Sequence, residues 1–220
     1  RLLLAAVDRF MGGSLQSATL NRIEQYNFQR QQPGGVTGTV ADPEDPLRAY
    51  NASAALDSIR RLAEFMSGVR GRRKAMIFFS EGLGYDITDI FNNPNATQVI
   101  QDSRAAIAAA TRANVNVYAV DPRGLSSLAG MDAASPGPPI DADPNLRLGP
   151  AGMQDEVRRQ HDSLRVIAEE TGGFASLNSN DFAGAFDRIQ RDNSSYYVLG
   201  YYPANERRDG RFRKIEVRVN

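Results

Sequence analysis

The chain has 220 residues, in which 26 lysines and arginines balance 26 aspartates and glutamates. This balance leaves no global positive field for nucleic acid or an anionic membrane, while a hydrophobic content of 41% can build a globular core. The absence of cysteine excludes disulfides, thiolate catalysis and cysteine-type zinc sites, and no apolar stretch reaches the roughly 18 residues of a membrane span.

The first residues follow a helical pattern, with Leu3, Val7 and Phe10 at helical spacing. Because the chain starts with Arg1 rather than Met, inside this pattern, we expect further sequence and any signal peptide upstream. Residues 12–45 begin with two glycines, continue as a polar segment with a weak helical rhythm, and end in a proline- and glycine-rich run. We predict a long loop there.

Asp45-Pro46 predicts the start of a stronger helix, because an acidic cap followed by proline suits a first helical turn. The pattern ends near Gly68. An apolar stripe predicts the buried face of this helix, with further apolar residues widening it: Ala55, Ile59, Leu62 and Met66, then Leu56, Ala63 and Phe65.

The stretch KAMIFFSEGLGY, from Lys74 to Tyr85, contains five consecutive apolar residues that stop at Ser80-Glu81-Gly82. A short apolar run closed by a turn signal predicts a strand buried on both faces, at the centre of a parallel sheet. Ligands of such sheets bind just beyond the carboxyl ends of the strands. Ser80 and Glu81 are therefore expected at the functional edge.

A second strand–helix–strand unit follows. Asn95 begins a capping-box pattern and an alanine-rich helix that we expect to end at Asn114. The helix should turn Ile100, Ile107 and Ala110 inward. Residues 115–120, VNVYAV, predict a second parallel strand, and Asp121 after it is expected to act as a turn or cap residue.

Residues 125–152 are rich in proline and glycine without periodicity, which predicts a second long loop over the same sheet edge. A helix then ends at Thr171-Gly172-Gly173, where a left-handed glycine should stop it. After a brief strand at 174–177, Asn180-Asp181 should cap a last helix. Three residues are expected on one face of that helix: Phe182, Phe186 and Ile189.

The carboxyl-terminal residues 195–220 contain two β-rich runs, YYVLGYY and FRKIEVRV, joined by a charged turn. In the second run apolar and charged residues alternate, which is typical of a strand with one face in water. These residues predict a β-hairpin.

Sequence signatures of common enzymes are absent, including the dinucleotide, Walker A, zincin and nucleophile-elbow patterns. His161 is the only histidine, and the charged residues beside it favour an exposed position. Glu169 and Glu170 are adjacent on a helix and should point apart into water. The sequence therefore disfavours an enzyme.

Taken in order, the segments KAMIFFSEG, NVNVYAVDPRG, LRVIAEETGGFASL and YYVLGYYPAN…DGRFRKIEVRV resemble a von Willebrand factor A domain, of the type described in acidobacterial proteins. The resemblance covers roughly residues 45–220. It implies one domain over 1–220, lacking its amino-terminal part, with a doubly wound, Rossmann-like α/β fold: a mostly parallel sheet, helices on both faces and a carboxyl-terminal antiparallel hairpin. It also implies an exported protein (periplasmic, cell-surface or secreted) that serves adhesion, scaffolding or protein binding without catalysis.

Many domains of this family bind Mg²⁺ or Mn²⁺ through three loops at the top of the sheet. The D-x-S-x-S pattern of the first loop is absent, and Tyr50 and Ala52 stand where the second loop would place its threonines. Glu81, after Ser80, takes the place of the third-loop aspartate and remains a hard oxygen ligand. The resemblance thus implies a degenerate metal site with Ser80 and Glu81 as candidate ligands, which would hold Mg²⁺ or Mn²⁺ only if upstream ligands exist.

Two other classes of protein remain open. The chain could be a structural subunit of a larger extracytoplasmic or membrane-associated complex, held by permanent, metal-independent contacts. It could also be a hydrolase or nucleotide-binding enzyme, with a closed pocket near Glu81 and Asp121 and a strongly shifted carboxyl pKa. If the amino-terminal part of the fold lies upstream, the sheet should expose an apolar edge or face.

Overall fold

A computed structural model describes residues 15–36, 40–69, 73–85, 95–126 and 146–194. The predicted helix at the amino terminus, most of the 125–152 loop and the 195–220 hairpin lie outside these residues. In this part of the chain no helix is long and apolar enough to cross a membrane. The elements, in chain order, are α1 (Ala18–Arg30), α2 (Asp45–Met66), β1 (Lys74–Phe79), α3 (Ala96–Arg112), β2 (Val115–Val120), a 3₁₀ turn (Gly124–Ser126), α4 (Pro150–Glu170), β3 (Ala175–Ser176) and α5 (Phe182–Ser194).

The three strands form a parallel sheet in the order β1-β2-β3. β1 and β2 pair along their whole length, from Lys74 opposite Val115 to Phe79 opposite Val120. Helices connect successive strands, since parallel neighbours need a crossover between them. The prediction of an α/β fold with a parallel, Rossmann-like sheet is therefore confirmed for the described residues.

Within the described part of the chain, β1 is not the central, doubly buried strand that its sequence predicts. Among the described residues it pairs with β2 alone, and every residue of β2 is buried. In β1 Met76 is buried, but Ile77 is 39% and Phe79 57% exposed. A continuous apolar run reports hydrophobicity and not the number of neighbouring strands, so it could not separate a central strand from an edge strand. The apolar exposure matches the expected open sheet edge.

The inner face of α2 agrees with most of the predicted stripe but not with all of it. The helix buries Ala52, Leu56, Ile59 and Ala63, while Leu62 is 45% and Phe65 82% exposed. Alanines on the facing helix α3 are buried in the same core. Small side chains let two helices approach closely. The side of α2 that carries Ala52 and Ala63, together with Leu56 and Ile59, therefore faces the core, while Leu62 and Phe65 point outward.

α1 occupies part of the region predicted as a loop, residues 12–45. Ser17 caps its amino terminus, and the carboxylate of Glu156 in α4 accepts hydrogen bonds from the backbone N–H groups of Ala18 (3.0 Å) and Thr19 (3.3 Å). The Ser17 hydroxyl also donates to Glu156 (2.7 Å). These bonds satisfy free donors of the first turn and match the helix dipole. The partner is 137 residues away from Thr19, so local sequence could not reveal it.

The ends of the other helices follow the sequence more closely. Asn95 is the N-cap of α3 but makes no side-chain capping bond. Asn114 ends that helix with φ of 54°, and Gly172 ends α4 with φ of 82°, as predicted. The N-cap of α2 is Glu44, one residue before the predicted cap, Asp45.

Ala110 is the only fully buried member of the predicted inward set of α3, with Ile100 and Ile107 half-buried. On α5 Ile189 is buried, while Phe186 is 41% exposed and lies 6.2 Å, ring centre to ring centre, from Phe79 of β1. The apolar faces of both helices are thus only partly covered within the described residues.

The position of Leu56 in the core gives a stability test. Leu56→Ala should lower the free energy of unfolding by about 2–5 kcal/mol, because the side chain is fully buried and truncation leaves a cavity. Leu125→Ala, the same change at a residue that is 68% exposed, should cost less than about 0.5 kcal/mol. Urea unfolding of both variants measures the difference, and equal losses would contradict the described core.

Candidate functional site

The carboxyl edge of the sheet is built from three segments: the turn after β1, the turn after β2 and the middle of α4. The Ser80 N–H donates to the Val120 carbonyl (3.1 Å), which extends the pairing of β1 and β2 past their ends. Gly82 has φ of 108°, and a Cβ there would lie 2.4 Å from the Gln160 carbonyl oxygen of α4. Only glycine permits this backbone and this close approach. The β1 turn is therefore pressed directly against α4.

The buried carboxylate of Asp121 is the centre of this edge. The residue has 1% of its surface exposed, and its side chain accepts hydrogen bonds from the backbone N–H (2.9 Å) and Nε (3.0 Å) of Arg123. The predicted turn role is thereby confirmed. Nε2 of His161 lies 2.8 Å from Oδ2 of Asp121. Burial raises the pKa of Asp121, but the hydrogen bonds from Arg123 and His161 and the positive charge of Arg123 outweigh it, so the net pKa is lowered.

The guanidinium of Arg123 joins all three segments. Besides Asp121, it donates to Oε1 of Gln160 in α4 (2.7 Å) and to the carbonyl oxygen of Glu81 after β1 (2.8 Å). Its Nη1 also lies 3.9 Å from the Glu81 carboxylate. A planar guanidinium with five donors can satisfy several acceptors in fixed directions. Arg123 therefore supplies a built-in cation at the sheet edge.

The predicted exposed position of His161 is wrong. Its residue exposure is 4%, and its ring faces Asp121 inside the protein. The charged residues beside it in sequence lie on other sides of α4. A usable signal was its spacing, since His161 lies three and seven residues before Leu164 and Ala168, both buried on the same helix face. Glu169 and Glu170, by contrast, are exposed as predicted.

Ser80 and Glu81 lie at this edge but do not form a cage of ligands. The Ser80 hydroxyl accepts a hydrogen bond from the Gly82 N–H (3.1 Å), and the Glu81 side chain is 55% exposed. Within the described ranges, no three carboxylate, histidine or cysteine residues are grouped closely enough to hold a metal ion. Mg²⁺ requires about six ligand positions, and the positive charge of Arg123 beside Glu81 opposes a second cation. The binding of a metal ion by Ser80 and Glu81 stays a prediction. On their own, these two residues supply too few ligands for Mg²⁺.

Ser163 of α4 also contacts the turn after β1. The hydroxyl of Ser163 is engaged with backbone groups, donating to the Gln160 carbonyl (2.6 Å) and accepting from the Leu83 N–H (2.9 Å). It thus fastens the β1 turn to α4. A pocket of about 340 Å³ lies elsewhere, between α2 and α3.

Comparison with protein-family models, with curated proteins and with solved structures found no significant match.

Asp121 should govern the acid sensitivity of the fold. Because its pKa is lowered in the folded state, its stabilisation is complete above the ordinary value of 3.8 and is lost as the pH falls through the lowered value. Asp121→Asn should therefore cost about 3 kcal/mol at about pH 7, where it leaves the Arg123 charge uncompensated, and less at about pH 3.

Urea unfolding at the two pH values measures this difference. Asp162→Asn is the matched control, because the Asp162 side chain is 57% exposed and pairs with Arg165 on the helix surface. It should change stability by less than about 0.5 kcal/mol at either pH. A loss for Asp121→Asn that does not shrink in acid would contradict the role of its charge.

Proposed function

We propose that this chain is a non-enzymatic, protein-binding module of von Willebrand factor A type, whose sheet edge is organised by Arg123 in place of a divalent metal ion. The contact of Arg123 with Asp121, Gln160 and the Glu81 carbonyl is the observation that carries this function. The Arg123 side chain connects the ends of β1 and β2 to α4, so the positive charge at this edge is covalently part of the protein. Binding at this edge would therefore not require a metal.

Exposed apolar side chains at the same end of the molecule offer a surface for a protein partner. Phe79 is the last residue of β1, Leu125 follows the β2 turn, and Phe186 on α5 contacts Phe79; their exposures are 57%, 68% and 41%. The exposed Glu81 carboxylate adds one negative charge. Apolar and aromatic side chains beside a few charged groups are typical of protein interfaces. We expect a partner with apolar groups and at least one cation.

An enzymatic role is less well supported by the contacts at this edge. Nε2 of His161 faces a buried carboxylate, and that carboxylate is also bound by Arg123. An ion pair of this kind inside the protein stabilises three segments, whereas a general base needs access to substrate. The lowered pKa of Asp121 also makes it a poor proton acceptor near neutral pH.

The resemblance adds finer features to the proposed function: helices on both faces of the sheet, a carboxyl-terminal hairpin over 195–220, and an exported location.

A permanent subunit of a larger extracytoplasmic or membrane-associated complex is the rival function. The apolar exposure of Ile77 and Phe79 on β1 favours it, because a permanent partner would cover such a strand. Co-purification of a stoichiometric partner through high salt would distinguish the rival from a reversible binding module.

Thermal unfolding with and without divalent ions tests the metal-free edge. Saturating Mg²⁺ or Mn²⁺ should leave Tm unchanged relative to a chelator, because a ligand raises stability only when it binds the folded state. A site filled at about 100 times its Kd would add about 2.7 kcal/mol, which a melting curve resolves easily. A rise in Tm that Glu81→Ala abolishes would show a metal site and contradict the proposed role of Arg123.

Capture from extracts of the source cells tests the binding surface. The immobilised protein should retain a partner equally with chelator and with Mg²⁺, and Leu125→Asp should abolish retention, since it places a desolvated charge in the interface. Val166→Asp is the control, because Val166 is 47% exposed on α4. Retention that requires Mg²⁺, or that survives Leu125→Asp, would count against the proposed surface.

A further inference from the structure

Two acceptors compete for the same nitrogen of Arg123. Its Nη1 donates to Oε1 of Gln160 in α4 at 2.7 Å, while Oε2 of Glu81 lies 3.9 Å from the same atom. The first distance is that of a hydrogen bond, and the second is about 1 Å too long for one. Arg123 therefore bonds to a neutral amide although a carboxylate lies just outside bonding distance.

The two acceptors differ in strength and in what a bond would cost them. A hydrogen bond from a guanidinium to a carboxylate is roughly twice as strong as one to a neutral group. The Glu81 side chain is 55% exposed, however, so a bond to Arg123 would cost it rotamer freedom and hydration. Gln160 is half-buried and has less of both to lose. The neutral acceptor can therefore hold Nη1 against the charged one.

Gln160 is held in position by its surroundings in α4. Its carbonyl oxygen accepts a hydrogen bond from the Ser163 hydroxyl (2.6 Å) and would lie 2.4 Å from a Cβ on Gly82. The next residue, His161, is buried against Asp121. The amide of Gln160 thus meets Arg123 from the part of α4 that is packed against both turns.

The charges of this edge leave one negative charge on Glu81. Arg123 bonds to both carboxylate oxygens of the buried Asp121, through Nε at 3.0 Å and Nη2 at 2.9 Å. One cation and two carboxylates sum to a single negative charge, and the exposed carboxylate carries it. Among the described residues, no cation other than Arg123 lies within 4.0 Å of the Glu81 carboxylate. One monovalent cation from outside would neutralise the edge.

We infer that Gln160 is a positioning residue that occupies Arg123 and thereby leaves the Glu81 carboxylate available to a lysine or arginine side chain of the partner. In the proposed function the partner binds at this edge beside Phe79 and Leu125, and the role of Gln160 rests on that function. An ion pair at the rim of an interface fixes the orientation of the partner and makes association sensitive to salt. Gln160 thus determines which charge the edge presents.

Urea unfolding of a mutant cycle tests the competition without a partner. In the wild-type background Glu81→Gln should change the unfolding equilibrium constant by less than about twofold, because Glu81 makes no hydrogen bond to Arg123. In a Gln160→Met background the freed Nη1 should bond to Glu81, so Glu81→Gln should then raise that constant about fivefold. Gln160→Glu keeps an acceptor oxygen and should restore the small effect.

Gln154→Met is the matched control, because Gln154 is exposed on the same helix. In that background Glu81→Gln should keep its small effect. A loss on Glu81→Gln that is equal in the wild-type and Gln160→Met backgrounds would overturn the competition for Arg123.

Affinity for the partner retained in the capture experiment tests the recognition of a cation. Glu81→Gln and Gln160→Met should each raise the Kd about fivefold, and the double variant should raise it no further, since both changes withdraw the same carboxylate. Added salt should weaken the wild-type complex more than that of either variant.

The outcomes separate the role of Gln160 from the proposed function. A partner that is lost with Leu125→Asp but indifferent to Glu81→Gln, or additive losses in the double variant, would overturn the role of Gln160 and leave the binding surface intact. Absence of any retained partner would contradict the proposed function itself, while the unfolding cycle would still decide whether Gln160 displaces Glu81.

Discussion

A carboxylate buried at the end of a central strand must be compensated, and this requirement shapes the whole carboxyl edge. Asp121 is enclosed by the protein, so its charge would be costly without strong donors. Arg123, in the same turn, supplies a cation, and His161 of α4 contacts the Asp121 carboxylate. Once Arg123 is held in this way, its remaining donors reach Gln160 and the backbone of Glu81. The alignment of β1, β2 and α4 therefore depends on the compensation of the buried Asp121 charge.

α4 carries a second buried acceptor, and through it the same helix organises the amino-terminal part of the described chain. Glu156 lies five residues before His161 and caps α1 through the backbone of Ala18 and Thr19. α4 thus holds α1 near one end and the sheet edge near its middle. Two polar side chains on the inward side of one helix connect segments that share no local sequence relationship. Such connections require complete hydrogen bonding, because a half-satisfied buried network costs more than an apolar core.

An arginine and a divalent ion organise a site differently. A metal ion leaves when it is removed from solution and can offer an open ligand position to a partner. The Arg123 guanidinium is covalently part of the chain and is already occupied by acceptors on three sides. In the proposed function, exposed side chains such as Phe79 and Leu125 therefore bind the partner, and no shared metal ion is needed.

Local sequence determined much of the fold. The apolar run 115–120, the left-handed residues Asn114 and Gly172, and the helix start at Asp45 depend on propensities and turn preferences within a few residues, so the sequence predicted them correctly. It also placed Glu81 and Asp121 at one edge, because parallel strands end together. Whether a strand is central or at an edge, and which side of a helix is buried, depend instead on neighbours far along the chain.

Only tertiary structure could therefore decide that β1 lies at an edge of the described sheet, that Phe65 faces outward, that α1 is a helix and that His161 is buried. Each of these outcomes follows from a partner 30 or more residues away: β2, the alanines of α3, Glu156 and Asp121. Apolar patterning measures how much surface a segment must bury. It does not specify which partner buries that surface, and the buried polar contacts that select the partner leave almost no local trace.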